Sequence, residues 1–111
     1  MNWPAPGTKK MPRPDVFACS KEKKMSFAFE VKTSRQDVFY VSKEQIDDLM
    51  LFSKRSGAKA YLAVRFVGKK MKFVFLKAPE ELKKSKGHNY RVHKNEINGA
   101  SFEELIKNSI H

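Results

Sequence analysis

The chain has one cysteine, Cys19, and three histidines that do not have the spacing of metal ligands. One cysteine excludes an internal disulfide, and so few Cys and His residues exclude a structural zinc site. No apolar run approaches the roughly 20 residues that a membrane-spanning helix needs, and residues 1–15 hold no apolar signal-peptide core. The sequence therefore predicts a cytoplasmic protein that has no membrane partner and no organic cofactor.

Acidic residues are also scarce, because 12 Asp and Glu stand against 23 Lys and Arg in 111 residues. The resulting net charge of +11 indicates a polyanionic partner, most often nucleic acid. A Lys-rich solvated surface of the thermophilic kind is the alternative. A membrane surface is disfavoured, since no predicted helix is basic on one face and strongly apolar on the other.

What the chain does contain is the length and apolar content of one domain, with a Pro-rich basic arm at 1–14 and a core at 15–111. Alternation of apolar residues predicts strands at 15–20, 25–33 and 58–67, a central strand at 71–77 that is apolar on both faces, and a short edge strand at 89–93. Capping boxes predict helices after Ser42, with Gln45 as its partner, and after Ser101, with Glu104. This order of elements predicts an α/β domain with a mixed sheet.

The polar residues of the first two predicted strands form the most informative pattern. Glu30 and Lys32 are two residues apart and therefore share one face of a strand. If these strands pair as a hairpin, Asp15 falls roughly opposite Glu30. Two adjacent carboxylates repel each other, and a hard cation such as Mg²⁺ removes the conflict. With Lys32 beside them to orient water or neutralise a phosphate, the pattern favours metal-assisted phosphodiester hydrolysis.

The same residues also fit a structural interpretation. Glu30 and Lys32 would then form an exposed cross-strand pair, and Asp15 would cap a turn after Pro14. The "PD…ExK" pattern is loose and occurs by chance in many chains. The net charge and the hairpin spacing favour the catalytic interpretation.

Longer stretches, "RPDVFA", "FEVKTS", "FYVSKEQIDDLMLFSKRSGAKAYLAVRF" and "KFVFL", together resemble the archaeal-type Holliday junction resolvases of the PD-(D/E)xK nuclease superfamily. The resemblance implies a restriction-endonuclease-like mixed β-sheet flanked by helices. It also implies a homodimer that cleaves four-way junction DNA symmetrically with Mg²⁺, for which Mn²⁺ can substitute. Carried over by position, Asp15 and Glu30 are metal ligands, Lys32 is the catalytic lysine, and Gln45 lies near the active site.

Further roles follow from the same resemblance. The candidate DNA contacts are basic residues on either side of the predicted active site and one hydroxyl in the loop before Asp15. They are Lys9, Lys10, Arg13, Arg35 and Thr8. On the first helix, Leu49 and Phe52 fall where the family builds part of its dimer contact. Such a DNA substrate implies a place with the nucleoid in the cytoplasm.

The sequence departs from the family at its start. The family begins with a further helix that carries a Glu near the metal, whereas this chain begins at the loop before Asp15. Three interpretations remain open: a truncated chain, a short form active with two acids and a lysine, and a protein that binds junctions without cutting. A related nuclease for flaps or ordinary duplexes is a further alternative.

Overall fold

A computed structural model describes residues 13–22, 24–68 and 72–108, so most of the predicted arm at 1–14 lies outside it. The elements in chain order are β1 (Val16–Ser20), β2 (Met25–Ser34), β3 (Val38–Val41), α1 (Lys43–Ser56), β4 (Lys59–Phe66), β5 (Val74–Lys77), β6 (Lys83–Lys84), a 3₁₀ turn (Lys86–His88), β7 (Tyr90–His93) and α2 (Phe102–Asn108). Within the described ranges, neither helix is long and apolar enough to cross a membrane.

The main sheet has four strands in the order β1-β2-β4-β5. Strand β2 pairs antiparallel with β1 and parallel with β4, and β4 pairs antiparallel with β5. The predicted hairpin and the predicted mixed sheet are both confirmed. Because β2 and β4 run in the same direction, their carboxyl ends lie at the same edge of the sheet.

Strand β2 separates two apolar layers. Phe27 and Phe29 point into a small cluster that Leu105 of α2 helps to close. Ala28, between them, points to the opposite side, into a larger cluster with Ile46 and Leu49 of α1. Each large apolar side chain buried in these layers stabilises the fold by about 1.5 to 3 kcal/mol. The Ala28 face is the one that continues to Glu30 and Lys32, so α1 covers the side of the sheet that bears the polar pair.

A second sheet, in the order β3-β7-β6, packs its inner face into the larger cluster. The predictions for this part of the chain need correction, because β3 was not predicted and β7 is the middle strand rather than an edge strand. The prediction of a central strand at 71–77 is also wrong, since β5 ends the order of the main sheet. Its two apolar faces arise because Phe75 packs in the small cluster and Leu76 in the large one.

Both predicted capping boxes are confirmed. The Gln45 backbone N–H donates to Ser42 Oγ (3.1 Å), and Ser42 N–H donates to Gln45 Oε1 (3.3 Å). Gly57 ends α1 with a left-handed φ of 77°, which a residue without Cβ adopts at no steric cost. The Glu104 N–H donates to Ser101 Oγ (3.1 Å) before α2.

Gly99 allows the chain to pass close to β5 before Ala100 pairs with Phe75. A Cβ at Gly99 would lie 2.6 Å from the Phe75 carbonyl oxygen and would also meet Val74. We expect Gly99→Ala to lower the free energy of unfolding by about 1 to 3 kcal/mol, because the neighbouring backbone must shift. Denaturant unfolding measures this change.

Gly68→Ala is the matched control, because a Cβ at that position meets nothing within 4 Å. We expect this variant to unfold at nearly the same denaturant concentration as the unaltered protein. Equal stability of the two variants would contradict the close packing of Gly99 on β5.

Candidate active site

The pairing of β1 with β2 brings Asp15 and Glu30 together. The ladder ends with Val16 opposite Phe29, so the next positions along the two chains are Asp15 and Glu30. The Val31 backbone N–H donates to Asp15 Oδ2 (2.9 Å), which extends the ladder by one side-chain hydrogen bond. This contact fixes the Asp15 carboxyl beside the residue that the sequence predicted as its partner.

The Glu30 carboxyl is half-buried, and its surroundings disfavour its ionised form. Burial raises the pKa of Glu30 above its ordinary value, and the charge of Asp15 and a side-chain hydrogen bond with Asp15 raise the pKa further. Lys32 acts in the opposite direction, because its positive charge favours the ionised carboxylate. The structure therefore brings all three residues of the predicted pattern together on one face.

Asp48 on α1 is a residue of this site that the sequence analysis missed. It is half-buried, and its charge also raises the pKa of Glu30. The available signal was its position, because Asp48 follows Gln45 by three residues and so shares its side of the helix. The neighbouring Asp47 pairs instead with Lys43 on the exposed face (2.6 Å).

Gln45 has a structural role at the start of α1. Its side-chain oxygen accepts the Ser42 backbone N–H in the capping box. A catalytic role for Gln45 remains a prediction. The cap holds the Gln45 side chain at the amino end of the helix, one turn before Asp48.

Two of the predicted DNA contacts lie in the described part of the chain. Arg13 and Arg35 are both exposed, and Arg35 follows directly after β2. The other predicted contacts, Thr8, Lys9 and Lys10, lie outside the described residues.

The predicted dimer residues of α1 differ in exposure. Leu49 is only 2% exposed and packs in the larger cluster of this chain. A role for Leu49 at a dimer interface remains a prediction. Phe52 is half-buried and contacts Phe17 of β1 edge-to-face, with ring centroids 5.3 Å apart. Phe17 is 48% exposed and Leu51 is also exposed, so apolar surface does remain on this side.

The donor set of the site fits a hard divalent cation. In the ranges 13–22, 24–68 and 72–108, no three or more His, Cys, Asp or Glu side chains are grouped so that they could hold a metal ion by themselves. A cation at this site would therefore need water or substrate as further ligands. The carboxyls of Asp15 and Glu30 are adjacent, and Mg²⁺ is often held by one or two carboxylates with water and substrate phosphate as its other ligands. A cation between them would offset the burial and repulsion that raise the pKa of Glu30.

Substitution of Glu30 tests this electrostatic account without any enzyme assay. Glu30→Gln keeps the shape of the side chain and removes its charge. In EDTA at about pH 7.5 we expect the variant to unfold a few degrees higher than the unaltered protein, because the ionised carboxylate destabilises the folded state. The folded-state pKa lies above the unfolded value near 4.5, so this gain shrinks as the pH falls towards 4.5. Thermal unfolding followed by circular dichroism measures both effects.

Addition of Mg²⁺ should raise the unfolding temperature of the unaltered protein and leave that of Glu30→Gln nearly unchanged. Glu22→Gln, in the exposed turn after β1, makes the same charge change away from the site and is the control. If Glu30→Gln unfolds at a lower temperature in EDTA, Glu30 makes a net stabilising pair with Lys32. The structural interpretation of these residues would then hold.

Comparisons with known proteins identify the family of this chain and proteins that resemble it. A model of the archaeal Holliday junction resolvase family (Hjc) matches residues 1–111. The crossover junction endodeoxyribonuclease Hjc of Methanocaldococcus jannaschii is 50% identical over 40 residues, which are 36% of this chain and only 30% of that protein. The solved structure of Archaeoglobus fulgidus Hjc, a Holliday junction resolvase, has the same fold, with a TM-score of 0.77 and 22% identity over 90% of this chain and 78% of the other. The chain belongs to the archaeal Holliday junction resolvase family.

Proposed function

We propose that this protein is a structure-specific endonuclease that binds four-way DNA junctions and cleaves them by metal-assisted phosphodiester hydrolysis. The observation that carries the proposal is the adjacent pair Asp15 and Glu30, with Lys32 on the same face, in a chain of the resolvase family. The raised pKa of Glu30 supports a cation-binding role, because carboxyls with perturbed pKa values are found preferentially at functional sites.

The proposed roles follow from the charges of the three side chains. Asp15 and Glu30 would hold Mg²⁺, or Mn²⁺ in its place, and this cation would supply positive charge beside the scissile phosphate. Lys32 extends beside Glu30 and stabilises the negative charge that develops on the phosphate oxygens. Gln45 completes the site from the start of α1. Arg13 and Arg35, with Thr8, Lys9 and Lys10 of the preceding segment, contact the DNA backbone.

A homodimer suits the substrate, because a four-way junction is close to two-fold symmetric and two equivalent sites can cut two opposed strands. We place the contact between subunits at the exposed Phe17 and Leu51 and the half-buried Phe52. Residues 1–111 then act as a single nuclease domain, in the cytoplasm with the nucleoid.

Substitution of Lys32 tests the proposed chemistry. On a supercoiled plasmid with an extruded cruciform, we expect the unaltered protein and Mg²⁺ to give linear product, because paired cuts are made within one complex. We expect Lys32→Ala to lower the cleavage rate by about 10²- to 10³-fold while junction binding is kept. Gel electrophoresis separates nicked circles from linear plasmid.

Lys59→Ala is the control, since it removes the same charge on the adjacent parallel strand. Lys59 is paired with Phe27 of β2, and Phe27 is five residues before Lys32. Lys59 therefore lies roughly 16 Å along the sheet from Lys32. Junction binding without nicking by the unaltered protein at any Mg²⁺ or Mn²⁺ concentration would favour a non-catalytic junction-binding protein. Equal cleavage of flap or linear DNA would favour a nuclease of broader substrate range, and nicked circles alone would contradict the two-site dimer.

A pair of variants separates the two roles of Gln45. Gln45→Ala and Ser42→Ala each remove one half of the capping box and should each cost about 0.5 to 1 kcal/mol of stability. If Gln45 also acts at the site, cleavage falls more than about 10-fold in Gln45→Ala and stays near normal in Ser42→Ala. Equal cleavage rates in the two variants, at equal stability, would show that Gln45 is only a cap.

A further inference from the structure

A second strongly basic region of the chain lies outside the candidate active site. The stretch "KKSKGHNYRVHK", residues 83–94, holds five Lys and Arg residues and two His residues, and no Asp or Glu. The structure folds it into β6, the 3₁₀ turn and β7, here called the basic hairpin. None of the DNA contacts predicted from the sequence falls within it.

The outer face of the basic hairpin, which points away from the core, carries basic residues. Tyr90 and Val92 of β7 are 6% and 2% exposed and point into the larger cluster, so the alternate residues Arg91 and His93 face the other way. Strand pairing sets Lys83 of β6 opposite Arg91. The outer face of this sheet therefore carries Lys83 and Arg91. Lys84 is paired with Tyr90 and is exposed at the edge strand β6.

Glu96 holds two of these cations in place. Arg91 Nη1 donates to both Glu96 carboxylate oxygens (3.0 and 3.3 Å), and Lys83 Nζ lies 3.1 Å from Oε2. One carboxylate thus serves two cations, which leaves the group net positive. Among the described residues, no ion pair involves the exposed side chains of Lys84, Lys86 or Lys94.

The basic hairpin contacts the turn that follows β2, the strand that carries Glu30 and Lys32. The Lys94 backbone N–H donates to the Asp37 carbonyl oxygen (2.7 Å) in the turn that joins β2 to β3. Arg35 lies in the same turn, three residues after Lys32. The exposed Arg35 and Lys94 therefore lie on two segments that are in backbone contact through Asp37.

A basic surface with this composition suits a phosphate backbone. Lys side chains act as point charges that position nucleic acid and carry no sequence information. A four-way junction presents duplex arms on both sides of the crossover, so DNA is available beyond the scissile phosphate.

We propose that the basic hairpin is a second DNA-contacting surface, which binds the backbone of a duplex arm next to the cleaved strand. This inference rests on the proposed function for its substrate. Its contribution is to binding alone, because the hairpin supplies charge to DNA that lies away from the reacting phosphate.

The test is a triple variant, Lys84→Ala, Lys86→Ala and Lys94→Ala, which leaves the Glu96 contacts intact. Its matched control is Lys21→Ala, Lys59→Ala and Lys107→Ala, which removes three exposed cations from other parts of the protein. Fluorescence anisotropy in EDTA measures the Kd of the intact protein for a synthetic four-way junction at several NaCl concentrations. Single-turnover cleavage in Mg²⁺ at saturating protein is measured in parallel.

We expect the hairpin variant to bind at least about 10-fold more weakly at moderate salt, with a salt slope reduced by about 2 to 3. Its cleavage rate at saturation should match that of the unaltered protein, and the control variant should change much less in affinity. Equal weakening in both variants would attribute the effect to net charge alone and overturn the proposal, as would unchanged binding by the hairpin variant. If the unaltered protein never cleaves the junction but the hairpin variant loses affinity selectively, the proposed nuclease function fails and the second surface stands.

Discussion

The site depends on the register of β2 between β1 and β4. The hydrogen bond from Val31 N–H to Asp15 Oδ2 marks the last step of the β1–β2 ladder and holds Asp15 beside Glu30. A slip of one residue would turn Glu30 and Lys32 to the opposite face of the sheet. The buried phenylalanines on that opposite face oppose such a slip, because it would move them out of the small cluster.

This register creates a local electrostatic cost at Glu30. Burial and the charges of Asp15 and Asp48 raise the pKa of Glu30, and Lys32 only partly opposes them. The ionised Glu30 carboxylate therefore costs stability, and a divalent ion bound beside it would offset this cost. Functional sites commonly carry such a cost, which the rest of the fold offsets. Here the two apolar layers on either side of β2 supply the stability.

Local patterns predicted local structure well and predicted strand neighbours poorly. The hairpin pairing of Asp15 with Glu30 followed from residue counting across one short turn, and both capping boxes followed from residues three positions apart. The position of β5 at the end of the main sheet could not be predicted from the sequence. Apolar residues on both faces of a strand indicate that both faces are buried, but they do not indicate whether the strand has a neighbour on each side. Leu49 and Phe52 both belong to the apolar stripe of α1, and only the packing of the helix decides that Leu49 turns inward. Asp48 was missed for a related reason, since a charge on a helix does not reveal which strand it faces.

We propose that Asp15 and Glu30 form one electrostatic unit that a cation would complete. A direct measurement is the pKa of the Glu30 carboxyl, obtained by carbon-13 NMR titration of the metal-free protein, with the resonance assigned through Glu30→Gln. We expect the pKa of Glu30 to lie above the ordinary glutamate value in the unaltered protein. This pKa should fall in Asp15→Asn, and it should also fall when Mg²⁺ is added to the unaltered protein. A Glu30 titration that is unchanged by both Asp15→Asn and Mg²⁺ would contradict this proposal.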